Sequence, residues 1–274
     1  MSRLNRRQKT LILLAFALLF LSAVTIAGYF AREAAMSTDF SRKNLPPDAG
    51  HPFGTDWMGR DMFLRTITGL SMSIRIGLIT ATVSALAAFL IGTAAALLGR
   101  AADGVITWLI DLVMGIPHTL LLMLIAFACG RGFRGIVIGV VATHWMSLAR
   151  LIRGEVLQLK QSGYIKVAEK LGVKRWQIVR RHMIPHLFPQ FMVGLILLFP
   201  HAILHEAGVT FLGFGLSPEQ PAIGIILSES MRHLAMGRWW LALFPGLLLV
   251  FTVLLFDLAG SCLRRLTDPG SAHE

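Results

Sequence analysis

The chain has 274 residues, of which 55% are hydrophobic and only 15% are charged, and its mean hydropathy is +0.66. Soluble domains carry about 25% charged residues, so this composition excludes an ordinary soluble protein and predicts a polytopic membrane protein. The net charge is +11. The Lys and Arg residues cluster beside apolar segments, which is typical of cytoplasmic membrane flanks and disfavours nucleic acid as a partner.

About six apolar stretches are long enough to cross a bilayer, which takes ~20 helical residues. They cover Leu11–Phe30, Ile74–Leu98, Val105–Ala128, Ile136–Leu157, Pro189–Ala207 and Trp240–Leu263. The first follows a basic tail, so a cleaved signal peptide is the alternative to a retained helix. Its apolar core exceeds the roughly 7–15 residues of a signal peptide, and no clear cleavage site follows, which favours a retained helix. The predicted fold class is all-α.

Lys and Arg residues predict the orientation of these spans. They are frequent in the N-tail, and nine of them fall between Arg150 and Arg181. Because cytoplasmic loops carry an excess of Lys and Arg, both termini are predicted to be cytoplasmic. The predicted organisation is an N-tail, a first transmembrane helix, an external segment, a transmembrane domain and a cytoplasmic C-tail, covering residues 1–10, 11–30, 31–73, 74–263 and 264–274.

The inner loop between the fourth and fifth spans has the pattern of two short amphipathic helices, at about residues 163–184. Apolar residues recur at helical spacing on both sides of Gly172, with Tyr164, Val167 and Leu171 before it and Trp176, Val179 and Met183 after it. Pro185 predicts a boundary before the fifth span. Two interpretations stay open for this loop: an anchor among anionic lipid headgroups, or a docking element that fits a groove on a cytoplasmic partner.

The segment KVAEKLGVKRWQIVRRHMIP resembles the cytoplasmic signature of binding-protein-dependent ABC import permeases. In that signature a Glu-Ala-Ala segment precedes a Gly, and an Ile-x-Leu-Pro-like ending follows. Residues 166–168 are Lys-Val-Ala here, so two of the three positions depart, whereas Gly172 and the ending at Pro185 match. In the family this segment fits a cleft on the ATPase. The resemblance therefore assigns ATPase coupling to Ala168, Glu169, Gly172, Val173, Trp176 and Pro185.

Two further segments resemble the dipeptide, oligopeptide and nickel branch of that family, namely HPFGTDWMGRDMFLR at residues 51–65 and AGVTFLGFGLSPEQPAIGIIL at residues 207–227. In the first, glycines permit tight turns, and charged groups can pair or cap the helix that follows. These external-motif residues are Gly54, Asp56, Gly59, Arg60 and Asp61. With all three segments, the resemblance covers nearly the whole chain and implies the fold of a type I ABC importer permease.

The resemblance also implies a complex in the bacterial inner membrane. It contains a second homologous permease, two cytoplasmic ATPases and an external solute-binding protein. The sequence lacks a G-x-x-x-x-G-K-[ST] phosphate loop, so we expect no cofactor on this chain, with ATP and Mg bound by the ATPases. An enzyme is disfavoured, because His205-Glu206 begins an H-E-x-x-H pattern that Val209 interrupts. A non-transport membrane scaffold is a distant alternative.

The fifth span carries His201 and His205 at i, i+4, which places both imidazoles on one helical face, and Glu206 follows. Polar groups inside a bilayer mark pathways, and imidazole binds nickel, zinc or copper. Glu206 stands where peptide permeases of the branch have Glu, whereas His205-x-x-Gly208 resembles the nickel permease subunit. His201, His205 and Glu206 are therefore predicted to line the substrate pathway.

The two histidines as a pair favour nickel or another transition metal as the substrate, free or as a small-molecule chelate. They would be transient metal ligands. Import of dipeptides or oligopeptides is the alternative, and hydrogen bonding of the histidines across helices is the purely structural one. His118 and His144, in the third and fourth spans, can add to a polar lining, but the sequence does not place them on one wall.

Overall fold

The structure is a computed structural model that describes the backbone of residues 6–267 and the side chains of residues 7–266. The first residues of the predicted N-tail and most of the predicted C-tail, residues 1–5 and 268–274, lie outside this part. Within residues 6–267 the chain is mainly helical, and its one isolated extended bridge joins Thr55 and Asp61. The predicted all-α fold class is confirmed.

Eleven α-helices of very different lengths are present in the described part of the chain. They are α1 (Arg6–Phe30), α2 (Arg32–Met36), α3 (Met62–Leu97), α4 (Arg100–Met114), α5 (His118–Ala128), α6 (Gly132–Gln161), α7 (Gly163–Lys170), α8 (Arg175–Ile178), α9 (Ile184–Phe211), α10 (Ile223–Leu234) and α11 (Trp240–Thr267). By length and composition α1, α3, α6, α9 and α11 can each cross a membrane, and α4 with α5 makes a sixth span if the pair is counted as one.

The third predicted span, Val105–Ala128, is divided into two helices. α4 ends at Met114, α5 begins at His118, and the two axes meet at 95°. Pro117 immediately precedes α5. A proline has no N–H and pushes the residue before it out of the helical region, which ends α4 there. The bend places the imidazole of His118 at the first position of α5.

The second predicted span starts later than the helix that forms. α3 begins at Met62 rather than near Ile74, because the carboxylate of Asp61 caps it by accepting from Leu64 N at 3.0 Å. Its first turns carry Arg65 and other polar residues that are buried by packing, so hydropathy does not report them. Residues 62–73, predicted as external segment, are therefore helix.

The long helices pack around α3. It contacts α1, α6 and α9, and α11 closes the bundle against α1 and α9. Leu21 and Val24 of α1 belong to the same buried cluster as residues of α3 and α11. At Gly92 of α3 the approach of α6 is so close that an added Cβ would lie 2.4 Å from the carbonyl oxygen of Ala149. Small residues at such contacts are typical of helices that associate inside membranes.

The bundle has two different ends. One end carries residues 37–61 and 212–239, called the loop end below. The other carries α7, α8 and a π-helical turn at Val179–Met183, called the basic end. Because the spans alternate in direction, α5 and α9 run toward the loop end, and α3 and α6 run toward the basic end. The sequence-predicted coupling and external-motif residues thus lie at opposite ends.

Candidate solute pathway and coupling surface

At the basic end, α7 and α8 are fixed to the bundle by buried apolar side chains. Ile165, Ile178 and Met183 are at most 3% exposed and belong to one cluster with Ile152 and Val156 of α6. Each buried aliphatic side chain contributes about 1.5–3 kcal/mol relative to an exposed one. The segment is therefore attached rigidly to the spanning helices.

The opposite side of this segment is exposed and apolar. Its side chains are 49% to 78% exposed, and we call this surface the coupling edge, defined by Tyr164, Val167, Leu171 and Trp176. Basic residues flank it and are also exposed, among them Lys166, Lys170 and Arg175. Exposed contiguous apolar groups with a polar rim are typical of a protein or membrane interaction site.

The turn between α7 and α8 depends on Gly172. Its φ is +76°, in the left-handed region that glycine adopts at helix C-termini. Its N–H donates to Glu169 O at 3.0 Å, and Val173 N donates to Ala168 O at 3.1 Å. Ala168 and Val173 pack against the buried cluster, whereas Glu169 is exposed. An added Cβ at Gly172 would meet nothing within 4 Å.

Pro185 does not form the predicted boundary. α8 continues through the π-helical turn into α9, and the ring of Pro185 sits in the first turn of α9 and is exposed. A proline cannot donate a backbone hydrogen bond to the preceding turn, and a π-helical turn ends just before Pro185. Met183, which belongs to the predicted apolar stripe with Trp176, is buried, whereas Trp176 is exposed. The second short helix is thus mechanically continuous with the fifth span.

At the loop end, Asp56 is the centre of a buried ion-pair network. Its Oδ2 accepts from Arg60 Nε and from an Arg65 guanidinium N, each at 2.6 Å. Its Oδ1 accepts from the backbone N of Met58 and of Arg60 at 2.8 and 2.9 Å. The three charged side chains are at most 6% exposed. Charge-assisted bonds of this geometry are strong enough to offset much of the cost of burial.

The network continues to α10 through Glu229. Its Oε2 accepts from Arg65 at 3.0 Å and lies 3.4 Å from the guanidinium of Arg60. A second contact in this segment joins His51 Nδ1 to Asp61 Oδ2 at 2.7 Å. The motif therefore fastens the loop at residues 37–61 to α3 and α10, and the pairing and capping expected of Asp56, Arg60 and Asp61 both occur.

The two glycines of the motif allow close backbone contacts. Gly54 and Gly59 have φ values of +69° and +75°. A Cβ at Gly59 would lie 1.8 Å from the carbonyl oxygen of Asp39, and one at Gly54 would lie 2.5 Å from Leu45 O. Both positions therefore require glycine for conformation and for space.

A cavity of about 1010 Å³ opens beside this network. Its lining combines apolar and charged side chains from the loop at residues 37–61, the α5–α6 turn, the end of α9 and α10: Trp57, Arg131, Thr210, Glu229, Arg232 and His233. Its size is in the upper range for small-molecule sites.

Below the cavity, three histidines from three helices meet. They are His118 of α5, His144 of α6 and His205 of α9, and one ligand nitrogen from each lies within 4.8 Å of the other two. Their ring centroids are 4.5–5.1 Å apart. Thr210, which lines the cavity, lies five residues after His205 on α9, a distance of about 7.5 Å along the helix axis. The three imidazoles form the histidine cluster referred to below.

The predicted pathway residues divide into three environments. His205 is in the histidine cluster, whereas His201, one turn earlier, is exposed and outside it. Glu206 is fully buried, and its Oε1 accepts from Thr210 Oγ1 at 3.0 Å, while Oε2 has no hydrogen-bond partner among the described residues. The structure thus groups His205 with His118 and His144 rather than with its helix neighbour.

Sequence reasoning missed Arg65 and Glu229 as members of the network and left the assembly of the histidines open. Arg65 stands inside the recognised motif, and its position one turn after Asp61 is the signal that could have identified it. Glu229 pairs with Arg65, which is 164 residues away in the sequence, and no local sequence pattern predicts such a contact. The same holds for His118, His144 and His205, which lie on separate helices.

Comparison with known proteins gives a consistent result. Residues 88–272 match the family model described as binding-protein-dependent transport system inner membrane component. The chain is 31% identical over 255 residues to the dipeptide transport system permease protein DppC of Bacillus subtilis, covering 93% of this chain and 80% of the relative. It is 31% identical over 257 residues to the oligopeptide transport system permease protein OppC of the same organism, covering 94% and 84%.

A third relative is the probable D,D-dipeptide transport system permease protein DdpC of Escherichia coli, at 30% identity over 251 residues, covering 92% of this chain and 84% of the relative. All three names refer to peptides or dipeptides. These relatives agree with the family expected from the segments at residues 166–185 and 51–65. They favour peptide import, the alternative in the sequence prediction, and do not support nickel.

Proposed function

Because this chain belongs to the family of binding-protein-dependent transport system inner membrane components, we propose that it forms part of the membrane pathway of an ATP-driven peptide importer. Its partners in this proposal are a second homologous permease, two cytoplasmic ATPases and an external solute-binding protein. The basic end then faces the cytoplasm, in agreement with the Lys and Arg distribution. The loop end receives the solute.

The coupling edge is the observation that carries the proposal. It presents exposed apolar side chains on a segment whose other side is buried in the bundle. A lipid anchor would need only exposed apolar groups, whereas a lever also needs a rigid connection to the spanning helices. α8 has that connection, because it runs without a break into α9. Force applied by an ATPase at Trp176 would therefore reach α9, the helix that carries His205 and that contains Pro189 and Pro200.

The test of this role is ATP hydrolysis by the reconstituted complex in the presence of the solute-binding protein. We expect Trp176→Asp to lower solute-stimulated hydrolysis by about 30-fold, the equivalent of the ~2 kcal/mol that a buried interface Trp contributes. Trp176→Phe, which keeps an apolar ring, is the matched control and should retain most activity. A scaffold without transport function predicts no difference between the two variants.

Peptide import is the solute class that the relatives' names favour. The cavity at the loop end fits it in size and in charge, since Arg131 and Arg232 can pair with a peptide carboxylate and Glu229 with an amino group. Uptake of a labelled dipeptide by cells that carry the intact importer tests the class. We expect accumulation that depends on this chain and on ATP.

A transition metal, free or as a small-molecule chelate, is the second candidate, and the histidine cluster favours it. Imidazoles are common ligands of nickel, cobalt, copper and zinc, and here three of them from three helices meet in one cluster. Uptake of radiolabelled nickel or cobalt, with and without chelators, is compared with dipeptide uptake in cells carrying His205→Ala. Loss of metal accumulation with dipeptide uptake retained would select the metal; unchanged metal accumulation would remove it.

A further inference from the structure

We infer that His118, His144 and His205 form an intramembrane binding site for one divalent first-row transition metal ion. The inference rests on the proposed function in one respect, namely that the bundle provides a solute pathway that such an ion can enter. It deepens that function by naming a ligand set, which differs from the pair His201 and His205 expected from helical spacing.

The distances allow shared coordination after a small closure. Because the three nitrogens lie within 4.8 Å of one another, a point exists within about 2.8 Å of all of them, compared with ~2.0–2.1 Å for a zinc–imidazole bond. Each ring therefore needs to move by about 0.8 Å, which rotation about the side-chain bonds can supply. Three helices contribute one ligand each, so the bundle fixes the ligand directions.

The hydrogen bonds of His144 leave it ready to bind a metal. Its Nδ1 lies 2.9 Å from the carbonyl oxygen of Val140. A carbonyl only accepts, so Nδ1 carries the proton and donates it, and Nε2 of the neutral ring keeps its lone pair. A histidine ligand that is oriented by a carbonyl in this way is the usual arrangement at metal sites.

Two ring nitrogens of the cluster have no hydrogen-bond partner in the described part of the chain. His144 is 7% exposed, and both its Nε2 and that of His118 are buried without a hydrogen-bond partner among the described residues. Buried polar groups are normally paired, because an unpaired one forfeits its hydration. A metal ion at the centre of the cluster would pair these atoms and explain why the helices keep three imidazoles together.

The composition of the site sets the class of metal. Three neutral nitrogens and no carboxylate suit Ni²⁺, Co²⁺, Cu²⁺ or Zn²⁺, and they disfavour Mg²⁺ and Ca²⁺, which require oxygen ligands. A three-histidine set leaves further coordination positions for water or for donor atoms of a chelate. The cavity is lined by Thr210, about 7.5 Å along α9 from His205.

Metal binding by the full-length chain tests the inference without any transport step. The protein is purified with a tag that contains no histidine, stripped with a chelator, and titrated with Ni²⁺ and with Cu²⁺. We expect one equivalent per chain, and a Cu²⁺ paramagnetic resonance spectrum with splitting from imidazole nitrogens. His118→Ala, His144→Ala and His205→Ala should each weaken Ni²⁺ binding at least about tenfold, whereas His201→Ala, on the same helix as His205, should not.

The inference is overturned if the wild-type chain binds neither ion, or if binding is unchanged in the three cluster variants. The wild-type Cu²⁺ spectrum decides the matter even where a variant fails to fold, because a spectrum without imidazole coupling excludes the site. Failure of ATP-driven dipeptide uptake would contradict the proposed function and leave these binding results untouched. Absence of metal binding with uptake intact would contradict the metal site alone.

Discussion

At the loop end the chain buries its charges and pairs them internally, and at the basic end it exposes its apolar groups and leaves them uncovered. Asp56, Arg60 and Arg65 are nearly inaccessible and bond to one another, whereas Leu171 and Trp176 are 78% and 68% exposed. Both segments are joined to long helices, α3 in one case and α9 in the other. The buried charges at the loop end are paired with groups of the same chain, whereas the apolar side chains of the coupling edge are left uncovered by the described residues.

The difference separates two kinds of constraint on sequence. A buried network is satisfied within the chain, so its residues are needed for the folded shape of the loop end. An exposed apolar edge contributes no burial energy to the folding of this chain, so its apolar residues are explained by a partner whose surface covers them. Substitutions at the loop end should therefore lower the stability of the chain, and substitutions at the coupling edge should lower activity while the chain remains folded.

Removal of the central carboxylate should have the largest effect on stability. Asp56→Ala leaves Arg60 and Arg65 buried without their main partner, which typically costs about 3–5 kcal/mol. Urea unfolding in mixed micelles measures the change in the free energy of unfolding. Asp39→Ala removes an exposed carboxylate from the same loop, where it pairs with Arg42 and accepts from the backbone N of Ser41, and should cost no more than about 1 kcal/mol. Equal losses in the two variants would contradict the special role of burial.

The two left-handed glycines offer a finer comparison. Gly59→Ala adds a methyl group against the carbonyl oxygen of Asp39, so we expect a loss of about 2–4 kcal/mol from strain and crowding together. The same unfolding experiment reports it. A loss no greater than that of Gly172→Ala would show that the loop relaxes freely around an added methyl group at residue 59.

Gly172→Ala should lower stability less than either Asp56→Ala or Gly59→Ala. Its φ is equally unfavourable for alanine, but its added methyl group meets no atom within 4 Å, so the expected loss is about 1 kcal/mol. ATP hydrolysis by the reconstituted complex should fall by a larger factor than stability alone explains, because the turn sets the direction of Trp176. Normal hydrolysis would contradict the part assigned to this turn.

Much of this architecture follows from local sequence features. Apolar stretches of sufficient length locate the spans, and the apolar spacing around Gly172 locates α7 and α8, because these signals depend on neighbours within a few turns. The capping role of Asp61 is local in the same sense. Family resemblance adds a proposal that local physics does not contain, namely that the loop with α7 and α8 couples the chain to an ATPase.

Features that depend on distant residues could not be predicted in this way. Polar residues such as Arg65 and Thr66 mask the start of α3, since their burial results from packing against other helices. The bend before Pro117 has a local cause, but its 95° angle is set by the surrounding bundle. The histidine cluster requires α5, α6 and α9 to be brought together, and helical periodicity on α9 alone selected His201 instead of His118 and His144.

The central claim is that the coupling edge engages a cytoplasmic ATPase. The most direct measurement is thiol crosslinking from Trp176→Cys in a Cys129→Ser background, since Cys129 is exposed and Cys262 is buried. Native Cys129, at the opposite end of the bundle, serves as the control for sidedness. We predict that Trp176→Cys captures a nucleotide-binding subunit and resists a membrane-impermeant maleimide in intact cells, whereas Cys129 reacts with it. Absence of any such capture, or labelling of Trp176→Cys from outside the cell, would contradict the account.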